Sequence, residues 1–275
     1  MRSVKFRTLG VLLATLALLP VAGSTVARPH GDFVRFTGIL SPELGEARSV
    51  TIYLPPSYTY SDKRYPVLYL QDGQNIFNPF FHEATRWKAW QAADAHSDAG
   101  REVILVAVDN RDRLNEYSPY REPAASISRP RADKYADFLA LTLKPWLDAR
   151  LRTLPEARHT GVLGSSMGGL VSLYAARRHP GVFGFAGVLS PSLWVGNKAI
   201  FYSVAARPEA GVRYYLSAGT DEGAGVVSQT SYMAKLLKGQ GSETMLTVAR
   251  GEAHNEAAWI KRLPEALGFF LAAER

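Results

Sequence analysis

A mostly parallel β-sheet with helices on both faces is the fold class this sequence predicts, and three observations predict it. Apolar runs of strand length alternate with stretches of helical length along most of the chain, the pattern of β–α units. No internal repeat, low-complexity tract or linker divides the 275 residues, so one large α/β domain accounts for them. A Gly-x-Ser-x-Gly turn, Gly164 to Gly168, sits between a short buried strand and a helix.

The elements follow in order. Strands are expected over residues 32–40, 48–54 and 65–71, then a helix around 86–95 and a strand over 103–108. A long helix runs from about 132 to 151, and Pro145 should bend it, because proline lacks a backbone donor and crowds the preceding turn. Residues 159–163 form a short buried strand and 169–178 a helix. Strands at 184–190, 212–218 and 244–249 extend the sheet, and 257–273 forms the last helix.

The N-terminus reads as an export signal. Arg2, Lys5 and Arg7 precede an apolar run over 10–22, broken only by Thr15, and Ser24-Thr25-Val26-Ala27 offers small residues for cleavage. The run is too short to span a bilayer and no second one follows, so no stable membrane insertion is expected. Cleavage is placed after Ala27, with Ser24 as the alternative. This gives a signal peptide over 1–27, a single domain over 28–275 and a periplasmic location. Cysteine is absent, which excludes a disulfide and a lipid-modified cysteine.

Removing residues 1–27 lowers the formal charge from +7 to +4, a surplus too small and too dispersed to argue for nucleic acid. His82 and His96 have no metal-ligand spacing with any partner, and neither H-E-x-x-H nor a phosphate-binding loop occurs. No metal and no cofactor is expected.

The chemistry centres on Gly164-Ser165-Ser166-Met167-Gly168-Gly169. A strand–turn–helix of this kind is the nucleophile elbow of α/β-hydrolases, which throws one serine hydroxyl out at the top of the sheet. Only Ser166 stands two residues from a glycine on each side, so Ser166 is the expected nucleophile. A serine needs a general base and an acid to orient that base, in the chain order Ser, Asp or Glu, His. Two histidines follow Ser166. His179 ends the elbow helix before Pro180, far from the hydroxyl, and reads as a helix cap. His254 lies on the polar loop after the last strand, where this fold delivers its base. The acid should follow the strand at 212–218, where Asp221 and Glu222 are both available. Successive side chains there point in different directions, so one can face the imidazole and the other solvent. One donor of the oxyanion hole should be the N–H of Met167.

Taken together, these residues resemble the esterase D-like group of α/β-hydrolases, which includes siderophore esterases, feruloyl and acetylxylan esterases and mycolyltransferases. The resemblance runs from Tyr65-Pro66-Val67-Leu68-Tyr69-Leu70-Gln71-Asp72-Gly73-Gln74-Asn75 through Val108-Asp109-Asn110-Arg111 and Asn115-Glu116-Tyr117-Ser118-Pro119 to the elbow. It continues through Ser190-Pro191-Ser192-Leu193-Trp194 and Gly219-Thr220-Asp221-Glu222 to His254-Asn255-Glu256-Ala257-Ala258-Trp259. It implies Glu222 as the acid, with Asp221 the alternative, and the N–H of Gln74 as the second oxyanion donor, with Gly73 allowing close backbone approach. Some members of the group work with a serine–histidine pair and little help from an acid.

Two substrate contacts are proposed by position. Trp194, beside the mouth of the site, can stack on an aromatic acyl group or pack its own loop. Asn110, Arg111, Arg113 and Glu116 follow a strand at the same edge as the elbow; Arg113 can hold a carboxylate or catecholate, or be part of a solvated charged loop. The expected activity is an exported serine esterase forming an acyl-enzyme on Ser166. A small-molecule ester such as a catecholate siderophore is the first substrate class and a feruloyl or acetyl ester of polysaccharide the second. An acyltransferase, or a ligand-binding homologue without turnover, is the alternative.

Overall fold

The computed structural model describes residues 31–77 and 87–272. The expected signal peptide, His82, Arg86 and the last three residues lie outside them. Eight strands form one sheet in the order β1-β2-β4-β3-β5-β6-β7-β8. They are β1 (Asp32–Ser41), β2 (Glu46–Leu54), β3 (Val67–Leu70), β4 (Ile104–Val108), β5 (Thr160–Ser165), β6 (Phe185–Leu189), β7 (Arg213–Gly219) and β8 (Thr244–Ala249). The pairs β1–β2 and β2–β4 are antiparallel, and every other pair is parallel. The result is the α/β-hydrolase architecture, with the elbow strand β5 in the middle of the sheet.

The helices, short ones included, are α1 (Gly73–Ile76), α2 (Ala89–Ser97), α3 (Arg113–Glu116), α4 (Ala132–Asp137), α5 (Lys144–Asp148), α6 (Met167–Arg178), α7 (Val195–Ala206), α8 (Ala224–Gly239) and α9 (Glu256–Leu271). Strand periodicity explains why they cover both faces. In β3, Val67 and Tyr69 enter one core and Leu68 and Leu70 the other. In β4, Ile104, Val106 and Val108 separate from Leu105 and Ala107 in the same way. Side chains alternate faces along a strand, so a run that is apolar at every position must be covered twice. One cover is α2 with α9, contributing Ala89, Ala93, Leu263 and Phe270; the other holds α4, α6, α7 and α8. The edges read differently. β1 is mostly exposed and has a register break between Phe36 and Ile39, and β8 alternates between half-buried and exposed.

The long helix expected over 132–151 is present in three parts. A π-helical segment, Phe138–Leu143, joins α4 to α5. Pro145 has no N–H for the Leu141 carbonyl, and the wider turn just before it is where the helix adjusts to that loss.

Candidate active site

The parallel strands end at one edge, and the expected catalytic residues all lie there. β5 leads straight into the elbow. Ser166 takes φ 56° and ψ −120°, a conformation L-residues rarely adopt, and is the N-cap of α6. Its N–H donates to the Leu189 carbonyl at 2.9 Å, anchoring the turn to β6. A side chain at Gly164 would place its Cβ 2.7 Å from the Gly168 backbone, so the tight return of strand to helix requires glycine there. Ser165 is buried within β5, whereas Ser166 is half-buried and points its hydroxyl outward.

Three elements converge on that hydroxyl. His254 Nε2 lies 3.0 Å from Ser166 Oγ, and His254 Nδ1 lies 2.8 Å from Glu222 Oε2. The Glu222 side chain is fully buried and His254 is partly open to solvent. Glu222 Oε1 accepts from the Ser190 hydroxyl at 2.6 Å and from the Gly219 N–H at 2.6 Å. Burial pulls the Glu222 carboxyl up, but hydrogen bonds from His254, Ser190 and Gly219 outweigh it and hold the group below its ordinary range. Asp221 is exposed, and its carboxylate accepts only from its neighbour Thr220 at 3.1 Å among the described contacts. Trp259 on α9 packs edge-on against the His254 ring at 5.1 Å and donates to Ser190 Oγ at 3.0 Å, bracing base and acid together. His179 ends α6, its N–H on the Ala175 carbonyl and its Nε2 2.7 Å from Asp137.

Met167 is the first residue of α6 and Gln74 the second of α1. First-turn N–H groups have no partner within their own helix, so both are candidates for an oxyanion. The Gln74 loop is held by polar contacts that the sequence alone did not single out. Asp72 is buried in a left-handed conformation, φ 59° and ψ 44°. Its N–H donates to Tyr117 Oη at 2.8 Å, and its Oδ1 accepts from Asn110 Nδ2 at 2.7 Å. Arg113 completes the clamp from Nε to Oδ1 at 2.7 Å and from Nη2 to Oδ2 at 2.9 Å. Arg113 is therefore a brace of this loop, and any contact with substrate would share its guanidinium with Asp72. The surrounding segment is divided: Arg111 and Asp112 are exposed, whereas Glu116 is fully buried against Arg48 at 2.5 Å and Arg131 at 3.2 Å. Gly73 also has a packing reason, since a Cβ there would lie 2.6 Å from the backbone carbons of Ala107 and Val108.

Ser192 is a further residue beside the nucleophile. Its Oγ lies 3.3 Å from Ser166 Oγ, and its N–H donates to the Ser166 carbonyl at 3.1 Å. Trp194, two residues on, is 44 % exposed at the start of α7, with surface free for contact. His96 hydrogen-bonds the Pro264 carbonyl at 2.9 Å. Among the described residues no cluster of three metal-ligating side chains forms, and no helix is long and apolar enough to cross a membrane.

A serine on an elbow, within hydrogen-bond reach of a histidine on the loop after the last strand, defines the chain as an α/β-hydrolase of the serine type. The Esterase family model matches residues 41–270, and the chain belongs to that family. It is 26 % identical over 258 residues to the uncharacterized protein YbbA of Bacillus subtilis, covering 86 % of this chain and 98 % of that one. An endo-1,4-beta-xylanase/feruloyl esterase of Xylanibacter ruminicola is 24 % identical, across 85 % of this chain but 30 % of that protein. A siderophore triacetylfusarinine C esterase of Aspergillus fumigatus is 30 % identical, across 51 % of this chain and 49 % of its own length. The crystal structure of an IroE-like serine hydrolase from Shewanella oneidensis superposes with a TM-score of 0.72 at 21 % identity, covering 86 % of this chain and 79 % of that one, which shows the shared fold.

Proposed function

We propose that the protein is an exported serine esterase that forms an acyl-enzyme on Ser166. The observation that carries the reading is the line of contacts from Ser166 Oγ to His254 Nε2 at 3.0 Å and from His254 Nδ1 to Glu222 Oε2 at 2.8 Å, across residues far apart in the chain. In the first step Ser166 Oγ attacks the ester carbonyl while its proton passes to His254 Nε2. Glu222 accepts from Nδ1–H, fixes the tautomer and stabilises the imidazolium. The N–H groups of Met167 and Gln74 receive the oxyanion, and the bond to the alcohol breaks as His254 returns the proton to it. Water then repeats the sequence on the acyl-enzyme and releases the acid.

For the substrate, the reading favours a catecholate siderophore ester. The likeness to the siderophore triacetylfusarinine C esterase of Aspergillus fumigatus supports a siderophore ester in general, and the catecholate part of the reading rests on exposed Trp194, which offers a face on which a catechol can stack. A feruloyl ester of polysaccharide is the second reading. It is favoured by the likeness to the endo-1,4-beta-xylanase/feruloyl esterase of Xylanibacter ruminicola. Residues 1–27 act as the export signal of a single domain over 28–275, so the N-terminus of the periplasmic protein should read from Arg28.

Covalent labelling tests the nucleophile. A fluorophosphonate should add to the wild type and not to Ser166→Ala, because only an activated serine attacks it readily. An intact mass without an adduct, or an adduct kept in Ser166→Ala, overturns the assignment. Hydrolysis of ferric catecholate, feruloyl and short-chain aryl esters separates the substrate readings.

A further inference from the structure

We propose that Arg262 is a positioning residue for the reaction: a buried guanidinium shared by Glu222 and Glu252 that fixes the acid against the loop carrying His254. The inference rests on the Ser166–His254–Glu222 reading and extends it to a residue of α9.

Arg262 lies on the second turn of α9 and is only 3 % exposed. A cation buried this far is held by partners or not at all. Its partners come from every segment that builds the acid–base side of the site. Nη1 donates to Ser190 Oγ at 3.2 Å, at the end of β6, and to Ser217 Oγ at 3.2 Å, within β7. Nη2 donates to Glu222 Oε1 at 3.3 Å. Nε donates to the Ala258 carbonyl at 3.3 Å and lies 3.0 Å from Glu252 Oε2. Glu252 precedes His254 by two residues, and its side chain is 15 % exposed.

One cation therefore serves two carboxylates, the buried Glu222 on the acid turn and the partly buried Glu252 on the histidine loop. Without it, Glu222 and Glu252 would stand close with His254 as the remaining counter-charge, and like charges in a buried site oppose each other's ionisation. The two backbones are also joined there, by Asp221 N–H to the Glu252 carbonyl at 3.0 Å and Gly251 N–H to Thr220 Oγ1 at 2.8 Å. Residues 250–255 have neither helix nor strand, so the position of His254 depends on such anchors. The planar fork of arginine reaches the serines in one direction and the carboxylates in others; a lysine ammonium cannot reproduce that spread.

The test uses full-length Arg262→Met and Arg262→Lys, p-nitrophenyl acetate as the ester and a fluorophosphonate as active-site titrant. kcat is taken per titrated site, and the downfield proton resonance of the His254 Nδ1–H bond to Glu222 is followed by NMR. In Arg262→Met the per-site kcat should fall about 10–100-fold, the range seen when a group that orients a reacting ligand is lost. KM should stay within about twofold, because the binding surface is untouched. The resonance should shift, and Arg262→Lys should recover part of the loss.

A merely structural Arg262 gives another pattern: fewer titratable sites, with wild-type kcat and an unshifted resonance at those that remain. That pattern overturns the proposal. If Arg262→Met does not fold, Arg262→Lys decides it alone, and wild-type kcat per site with an unmoved resonance is the overturning result. Failure of the underlying reading is distinguishable, because the wild type would then take no fluorophosphonate on Ser166.

Discussion

The Arg113 guanidinium grips the Asp72 carboxylate at both oxygens, 2.7 and 2.9 Å, and so ties α3 to the loop that presents the Gln74 N–H. The pair joins the ends of β3 and β4, two strands that are neighbours in the sheet although their residues lie about forty positions apart. Arg113→Met should leave Asp72 buried with Asn110 as its remaining side-chain donor. Arg113 is itself about a third exposed, so the cost should be about 1–3 kcal/mol rather than that of a fully buried pair. Turnover should fall roughly 10-fold, less than the loss of an oxyanion donor outright, because the N–H is displaced rather than removed. Thermal unfolding and aryl-ester kinetics check both. Unchanged kcat would show that the clamp does not position the loop.

Gly73 makes a related prediction through packing alone. Gly73→Ala pushes a methyl group into the Ala107 and Val108 backbone, which cannot yield as a flexible side chain would. Overpacking of this kind costs about 1–3 kcal/mol, and the strain falls on the residue just before Gln74. Urea unfolding should show the loss, and kcat should drop with it. A variant as stable and as fast as wild type would mean the loop has room to move aside.

Glu222→Gln should damage turnover far more than Asp221→Asn. An amide can present N–H where His254 needs an acceptor, favouring the wrong tautomer, with a loss of roughly 10²–10⁴-fold. Asp221 does not contact His254, so Asp221→Asn should stay within about twofold, as an exposed polar change usually does. Steady-state kinetics of the two variants decide the matter. The reverse order would exchange the roles, and two near-normal variants would mean a serine–histidine pair.

Much of this architecture was legible because it is written in local patterns. The sheet strands are apolar runs bounded by turn residues, and the elbow is contiguous, so both can be read without knowing what packs on what. Helices α7 and α8 went unread. α7 opens on Gly196, Asn197 and Lys198, all at positive φ, which hides its start. α8 does carry a readable signal, with Thr230, Met233, Ala234 and Leu237 buried at helical spacing. The side chains that hold the site in place were the hardest to foresee. Nothing in sequence spacing links Asp72 to Arg113 or Glu222 to Arg262; sheet order brings them together. The choice between Asp221 and Glu222 failed locally for a similar reason, because it depends on how a three-residue turn faces a loop thirty residues later.

The last prediction concerns pH. To accept the Ser166 proton, His254 must be neutral, so kcat/KM should fall as pH drops and the imidazole takes up a proton. Glu222 is held below its ordinary range, so it keeps its negative charge further into acid than an ordinary glutamate does. The sign for stability follows from the same depression. The folded carboxylate is favoured over the unfolded one, so its contribution is present above the ordinary glutamate value of 4.5 and is lost as pH falls through the lower folded value. Glu222→Gln should therefore approach the stability of wild type at acid pH and fall behind it at neutral pH. His254→Ala should remove the limb with nearly all turnover, roughly 10⁴-fold or more, because serine and histidine act as one unit. Ligand binding should survive, since Trp194, Met167 and Gln74 remain. The measurements are kcat/KM and denaturant midpoints across pH, with ligand affinity in His254→Ala. Near-normal turnover in that variant, or a limb that persists without the imidazole, would assign the base to another group.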